Sequence, residues 1–191
     1  MEACLPMMDA AVMAMPAESR DGWVEAARRG DRSAFGQLYA RYARMVHGIL
    51  LARVPAGDAD DLVQDVFVAA LRRLHTLRDS GAFGSWLAQL TRNLAIDYHR
   101  RVRRSEELPA DLASTDAERV EAAEVLAVIR SLPDAYRETL ILRLVEGLSG
   151  PEISARTGLT PASVRVNLCR GMKILREKLG LPQGTSGQEE Q

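Results

Sequence analysis

Residues 149–179 read SGPEISARTGLTPASVRVNLCRGMKILREKL. Ser149 and Glu152 have the spacing of a capping box, and the proline between them suits the first turn of a helix. Gly158 then predicts a turn, and Thr160 followed by proline predicts the start of a second, longer helix. A short helix, a tight turn that contains glycine and a longer helix are the pattern of a helix-turn-helix motif.

The second helix of this motif has the residues of a DNA-reading helix. Between Arg165 and Lys178 the chain has five basic residues and a single acid, Glu177. The N-terminal side chains of such a helix reach base edges in the major groove, where arginine can bond guanine and asparagine can bond adenine. Lys173 lies further along, where phosphate contacts are expected. The candidates for base contact are Ser163, Arg165, Val166, Asn167 and Arg170.

Helical periodicity extends over nearly the whole chain. Apolar residues recur at intervals of three and four, and no β-alternation of any length is present. Asp31 precedes the first such run, and Asp58 and Ser85 are predicted to cap the second and third helices of the first half. The apolar stripes are predicted to face a core. The residues predicted to face inward include Tyr39, Leu71, Leu144 and Val145.

The chain is predicted to form two domains. Segment 103–116 lacks apolar periodicity and combines a proline with scattered Ser, Thr and acidic residues, so we expect a flexible linker there. The predicted fold is all-α, with small helical domains at 22–102 and 117–180, the second containing the helix-turn-helix. We expect a disordered or dispensable extension at 1–21 and a disordered tail at 181–191.

Charge is segregated along the chain. The net charge is only −1 over 191 residues, yet the stretch from Arg92 to Arg104 contains five arginines and one acid. Acids concentrate at 58–65 and 106–124. Because salt screens charges over roughly 10 Å, phosphate contact depends on local charge. The distribution therefore predicts two basic surfaces and a separate acidic one.

Several classes of protein are excluded by what the sequence lacks. Two cysteines cannot form a disulfide framework or a four-cysteine metal site, which suits a reducing compartment. The apolar runs fall short of the roughly 18 residues of a membrane helix. The three histidines lie on separate predicted elements, and no phosphate loop or nucleophile elbow is present. We expect a cytoplasmic chain without membrane insertion, enzyme activity, metal or cofactor.

The stretch 83–104 combines aromatic and basic side chains. Phe83, Trp86 and Tyr98 accompany a row of arginines, which suits single-stranded nucleic acid because bases stack on rings and phosphates bind cations. Trp86 and Tyr98 also have the spacing of core residues, so packing is an alternative for both. The candidates that suit a surface are Arg92, Asn93, Arg100 and Arg101.

Four ordered motifs resemble a known family, the extracytoplasmic-function (ECF) sigma factors, which are small bacterial RNA polymerase sigma factors. DADDLVQDVF at 58–67 resembles their polymerase-binding helix. FGSWL and TRNLAIDYHRR within 83–101 resemble their promoter-melting helix. LPDAYRE at 132–138 and VEGLSGPEI at 145–153 resemble their second domain, and the resemblance covers roughly residues 22–179.

The resemblance implies a role for each domain. The first domain would bind core RNA polymerase and open the −10 element, and the second would read the −35 element as duplex. An anti-sigma factor would hold such a protein inactive. The implied polymerase-binding residues are Asp58, Asp61, Leu62, Gln64, Asp65 and Phe67. The implied −10 residues are Arg78, Asp79, Ser80, Arg92, Asn93, Tyr98, Arg100 and Arg101, and the implied −35 residues are Ser163, Arg165, Val166, Asn167, Arg170 and Lys173.

Other interpretations remain open at this point. The family often has Lys-Ser-Arg where this chain has Arg165-Val166-Asn167, so the base preference at −35 is not predicted. A free-standing dimeric DNA-binding regulator would share the helix-turn-helix, and so would a recombinase. Cys169 is expected to be a small structural residue, with oxidant sensing as the alternative.

Overall fold

The computed structural model describes residues 17–105 and 117–181. These residues form eight α-helices and two short 3₁₀ turns and contain no strand, so the all-α prediction is confirmed. None of the helices in these ranges is long and apolar enough to cross a lipid bilayer. The helices are α1 (Ala17–Arg28), α2 (Arg32–Leu51), α3 (Ala56–Arg73), α4 (Phe83–Ser105), α5 (Ala117–Arg130), α6 (Asp134–Leu144), α7 (Gly150–Thr157) and α8 (Pro161–Lys178), and the 3₁₀ turns are Leu74–Thr76 and Ser80–Ala82.

Helix α2 is the centre of the first half. Its buried side chains recur at intervals of three and four, and Leu38, Met45 and Ile49 are fully enclosed. Helices α1, α3 and α4 pack around it. Phe67 of α3 is buried against this helix, with its ring centroid 4.5 Å from that of Tyr39. Burial of these large side chains is the main favourable term in the folding of this half.

The helix starts agree only partly with the predicted caps. Asp31, which precedes the first apolar run, caps α2, since its carboxylate accepts two backbone N–H groups of the first turn. Asp58 does not cap α3, because that helix already begins at Ala56 and Asp58 lies in its first turn, where a negative charge suits the helix dipole. Ser85 does not cap α4 either. The second 3₁₀ turn runs directly into α4, and the Ser85 hydroxyl donates to the Ala82 carbonyl at 2.9 Å.

In the second half, α6 and α8 pack closely at a glycine. Gly171 is buried in α8, and a Cβ atom there would lie 3.0 Å from Leu140 Cδ1 of α6. Ile141, Leu148 and Ile153 are fully buried between α6, α7 and α8. The helix-turn-helix pair α7–α8 is thereby fixed on α6.

Some apolar residues predicted to face inward are exposed. That prediction is wrong for Tyr39, Leu71, Leu144 and Val145, which are 42%, 52%, 48% and 49% exposed. Periodicity defines an apolar stripe, but neighbouring helices cover only part of its width. Leu144 and Val145 additionally lie where α6 ends, just before Gly147 turns the chain at a φ of 64°.

The two halves pack against each other. Helix α2 contacts α6 and α7, helix α4 contacts α7, and buried residues of both halves form one continuous cluster. Helix α1 begins at Ala17, inside the segment predicted to be an extension, and α4 continues through Ser105, inside the predicted linker. The predictions for 1–16, 106–116 and 182–191 lie outside the described residues.

Candidate nucleic-acid and polymerase interfaces

The helix-turn-helix forms as its sequence predicts. Ser149 Oγ accepts the Glu152 N–H at 3.4 Å, and the Glu152 carboxylate accepts the Ser149 N–H at 2.9 Å. Burial opposes ionisation of Glu152, but the bonds that its carboxylate accepts from the Ser149 N–H and hydroxyl, together with the charge of Arg156, outweigh it, so the pKa of Glu152 is lowered. Gly158 ends α7 at a φ of 78°, and Thr160 caps α8 by accepting the Ser163 N–H at 3.1 Å.

One face of α8 is exposed and basic. Arg165, Arg170 and Lys173 are exposed, and Val166 is 42% exposed beside them. The other face packs on the domain through buried side chains, so α8 is held rigidly with its predicted contact residues outward. Ser163 and Asn167 are partly exposed, and the Ser163 hydroxyl lies 2.8 Å from that of Thr160.

Cys169 belongs to the same exposed face of α8. It is a free thiol at the surface, and it lies one helical turn beyond Arg165. This exposure does not agree with the expectation that Cys169 is a small structural residue.

Helix α4 presents a second basic surface near its C-terminal end. Arg100 and Arg101 are exposed there, and Asn93 is exposed one turn after Gln89, whose side-chain amide donates to it at 3.0 Å. Arg92 differs from these residues because its guanidinium is bonded to Glu138 of α6. Sequence spacing placed these side chains on one helix, and the fold separates Arg92 from the exposed group.

The aromatic residues of α4 are divided between packing and surface. Trp86 packs against the core, with its ring centroid 5.8 Å from that of Phe83, which agrees with the packing alternative. The Tyr98 hydroxyl donates to the Asp58 carboxylate at 2.7 Å. Burial, followed by this bond, raises the pKa of Tyr98 to about 12. Tyr98 therefore links the predicted −10 helix to the predicted polymerase-binding helix.

The loop before α4 is held by short-range hydrogen bonds. Asp79 accepts the Gly81 N–H at 2.9 Å and so starts the second 3₁₀ turn. The Ser80 hydroxyl donates to Glu25 of α1. Arg78 and Asp79 are exposed, and Ser80 is partly buried. The predicted −10 loop is thus fixed to α1 with its two charged side chains outward.

Helix α3 has an exposed acidic edge. Asp61, Gln64 and Asp65 are exposed, and Asp58 is partly exposed in an open cleft beside Tyr98. Two other predicted contacts, Leu62 and Phe67, are core residues that are only 5% and 3% exposed. These two side chains therefore lie outside the exposed contact surface.

Exposed apolar side chains extend this α3 surface. Val68 and Leu71 are 47% and 52% exposed on α3, and Tyr39 is 42% exposed on α2. Sequence reasoning missed them, because an apolar stripe by itself does not show which of its members remain uncovered.

Comparison with known proteins identifies the family. The model of Sigma-70 region 2 matches residues 38–105, and that of Sigma-70, region 4 matches residues 122–175. The RNA polymerase sigma factor CarQ of Myxococcus xanthus is 33% identical over 166 residues, covering 82% of this chain and 95% of CarQ. The ECF RNA polymerase sigma-E factor of Escherichia coli strain K12 is 30% identical over 177 residues, covering 82% and 92%.

Solved structures agree with this match. CnrH, in complex with the cytosolic domain of CnrY, is 29% identical with a TM-score of 0.61, covering 85% of this chain and 97% of CnrH. The sigma factor RpoE of Bartonella quintana, in complex with the anti-sigma factor NepR, is 20% identical with a TM-score of 0.52, covering 78% and 98%, and shares the fold.

The chain therefore belongs to the sigma-70 family of transcription regulators, in its ECF group. It is a sigma factor that binds core RNA polymerase and directs promoter-specific transcription initiation. The two other interpretations, a dimeric regulator and a recombinase, are set aside by this membership.

Proposed function

We propose that three surfaces divide the work of initiation. The acidic edge of α3, with the exposed apolar side chains beside it, binds core polymerase. The basic end of α4 and the loop at Arg78 contact the −10 element. The exposed face of α8 reads the −35 element as duplex. The observation that carries this proposal is the separation of one acidic and two basic surfaces onto different helices of the two matched sigma regions.

The chemistry of each surface supports its assignment. Arg100, Arg101 and Asn93 are exposed and offer cations and an amide to a single strand. Arg165 and Asn167 lie in the first turns of a capped helix, the place from which a helix-turn-helix reads base edges. Asp61 and Asp65 provide the opposite charge on α3, and they share an open cleft with Arg101 at the neighbouring end of α4.

A regulatory partner is part of the proposal. The Bartonella relative was solved with a protein described as an anti-sigma factor, and CnrH was solved with the cytosolic domain of CnrY. We expect an anti-sigma partner for this chain too. We expect it to act in the cytoplasm, to catalyse no reaction itself and to need no cofactor.

Transcription on two matched templates tests the division of labour. One template is fully duplex, and the other has an unpaired −10 region, which removes the cost of unpairing and unstacking its bases. Arg100→Ala with Arg101→Ala should impair the duplex template and be partly rescued by the unpaired one. Arg165→Ala with Asn167→Ala should be impaired on both. Equal rescue of both double variants would contradict the assignment.

A further inference from the structure

A buried carboxylate of the second half binds two guanidinium groups of the first. Glu138 of α6 is 4% exposed. It accepts Arg92 Nε at 3.1 Å and Nη2 at 2.6 Å, and Arg53 Nη2 lies 2.9 Å from it. A buried carboxylate is tolerated when it is paired and hydrogen-bonded, and both conditions hold for Glu138.

A second buried carboxylate makes a parallel contact. Glu146 follows α6 and is 6% exposed. Its carboxylate lies 2.6 Å from His47 Nδ1 and 3.7 Å from Arg44 Nε, both on α2. The Arg44 guanidinium also donates to the Glu146 carbonyl oxygen. The two glutamates therefore connect α2 and α4 to the second half at separate points.

Arginines of the second half also bond the end of α2. Arg130 Nε donates to the Leu51 carbonyl at 2.9 Å, and Arg137 Nη1 donates to the Ala52 carbonyl at 3.1 Å. The last carbonyls of a helix lack partners within the helix, so these bonds satisfy groups that would otherwise need water. Arginines of each half therefore donate hydrogen bonds to oxygen atoms of the other half.

Glycines allow the halves to approach closely. A Cβ atom on Gly48 of α2 would lie 2.8 Å from both Glu146 Cγ and Leu142 Cδ2. A Cβ atom on Gly84 of α4 would lie 2.7 Å from the Arg156 carbonyl oxygen. Gly36, also on α2, has no atom within 4 Å of such a Cβ. The close contact between the halves therefore requires glycine at positions 48 and 84, since any side chain there would collide with the second half.

The closed arrangement is incompatible with simultaneous reading of both promoter elements. Positions −35 and −10 are about 25 base pairs apart, or about 85 Å of B-form DNA at 3.4 Å per base pair. Here the two halves touch, with Arg92 and Glu138 2.6 Å apart. Arg92, a predicted −10 residue, also has its guanidinium occupied by Glu138.

We propose that the chain alone is autoinhibited by this contact. Glu138 takes the place at Arg92 that a DNA phosphate would take, and Glu146 fixes the second half on α2. Promoter binding requires the halves to separate, so polymerase or DNA must replace these intramolecular bonds. The masking of Arg92 rests on the proposed −10 function of α4, whereas the closed contact itself does not.

A wedge in the contact tests the closed state without DNA. One fluorophore is attached to Cys169 and a second to an introduced Arg72→Cys, in a chain with Cys4→Ser, and energy transfer is measured. Gly48→Leu should lower the transfer, because the atoms nearest to a side chain at this position belong to Glu146 and Leu142 of the second half. Gly36→Leu, on the same helix, should leave it unchanged. Equal transfer in Gly48→Leu and the unmodified chain would overturn the proposal.

A charge variant provides an independent route to the same result. Glu138→Gln keeps the shape of the side chain, removes its charge and replaces one acceptor oxygen by an NH2 group, which cannot accept from a guanidinium, so it should also lower the transfer. Glu124→Gln, at an exposed position of α5, is the matched control. Circular dichroism confirms that each variant remains helical. Transfer that stays high in both Glu138→Gln and Gly48→Leu would exclude this contact as a latch.

Binding of a fluorescein-labelled, mixed-sequence single-stranded 20-mer tests the masking. Gly48→Leu should bind it at least threefold more tightly than Gly36→Leu, and the additional mutation Arg92→Ala should remove the gain. Lower transfer without tighter binding would overturn autoinhibition. The double variant Arg100→Ala with Arg101→Ala tests the −10 assignment separately. Normal transcription by this variant on both templates would contradict that assignment of α4.

Discussion

At the scale of single residues, His47 makes the closed contact sensitive to pH. Its hydrogen bond to Glu146 raises the pKa of His47, partly opposed by burial and assisted by the charges of Glu146 and Asp60. Arg44 is the cation that shares Glu146 with it. A raised pKa in the closed state means that His47 stabilises this state fully below its ordinary pKa of 6.5. The stabilisation is lost as the pH rises through the raised pKa.

We therefore expect energy transfer in the labelled chain to fall as the pH rises above about 6.5. His47→Gln should flatten this pH dependence, because glutamine has no charge to lose. His75→Gln, at an exposed position, should retain it. If energy transfer in His47→Gln depended on pH as steeply as in the unmodified chain, another group would be responsible for the pH dependence.

The exposed residues of α8 should differ in how they affect −35 binding. Arg165→Ala or Asn167→Ala should cost about 1–3 kcal/mol on the preferred sequence and relax discrimination at the contacted base. Lys173→Ala should weaken binding to all sequences alike and lower the salt slope by about 1. Binding titrations of holoenzyme on matched and mismatched −35 duplexes distinguish these patterns. A uniform loss in all three variants would mean that Arg165 and Asn167 contact only phosphates.

At the scale of helices, the acidic edge of α3 should decide polymerase affinity. Asp61→Arg with Asp65→Arg should abolish binding to core polymerase, because reversed charges turn attraction into repulsion. Both side chains are exposed, so the helix should still fold. Competition for core enzyme against unmodified chain is the measurement, and Glu124→Arg on α5 is the control. Equal competition by the double variant would place the polymerase contact elsewhere.

The start of α7 should depend on its capping box. Ser149 accepts one N–H of the first turn and its own N–H is accepted by Glu152. Ser149→Ala should therefore lower the free energy of unfolding by about 1 kcal/mol. Urea unfolding followed by circular dichroism measures this change. Ser33→Ala, an exposed position in α2, should change it by only a few tenths of a kcal/mol, and an equal loss in both variants would argue against the cap.

At the scale of the whole molecule, the same side chains contribute to two states. Arg92 is bonded to a glutamate when the halves are closed, and it is available to a strand when they separate. Charged contacts suit such an exchange, since a phosphate can replace a carboxylate at a guanidinium with similar geometry. The contact also has an apolar part, since buried side chains of both halves form one cluster, so opening exposes hydrophobic surface that a partner would have to cover.

Local features of this protein were predictable from its sequence. The helical class, the capping box at Ser149 and the turn at Gly158 depend on residues within a few positions of one another, and all are present in the structure. The basic face of α8 was also predictable, because all of its residues belong to a single helix and follow its periodicity. The caps predicted at Asp58 and Ser85 are wrong, because α3 and α4 each begin two residues earlier, at Ala56 and Phe83.

Only the tertiary structure decided which residues are covered and what they bond. Periodicity could not show that Leu71 and Leu144 stay exposed, because that depends on where neighbouring helices end. Arg92 and Glu138 are 46 positions apart, and no local pattern relates them. The need for glycine at position 48 likewise appears only when α6 is placed against α2. Contacts between distant segments follow from the packing of the whole chain, whereas helix caps and the periodicity of apolar residues follow from the geometry of a single helix.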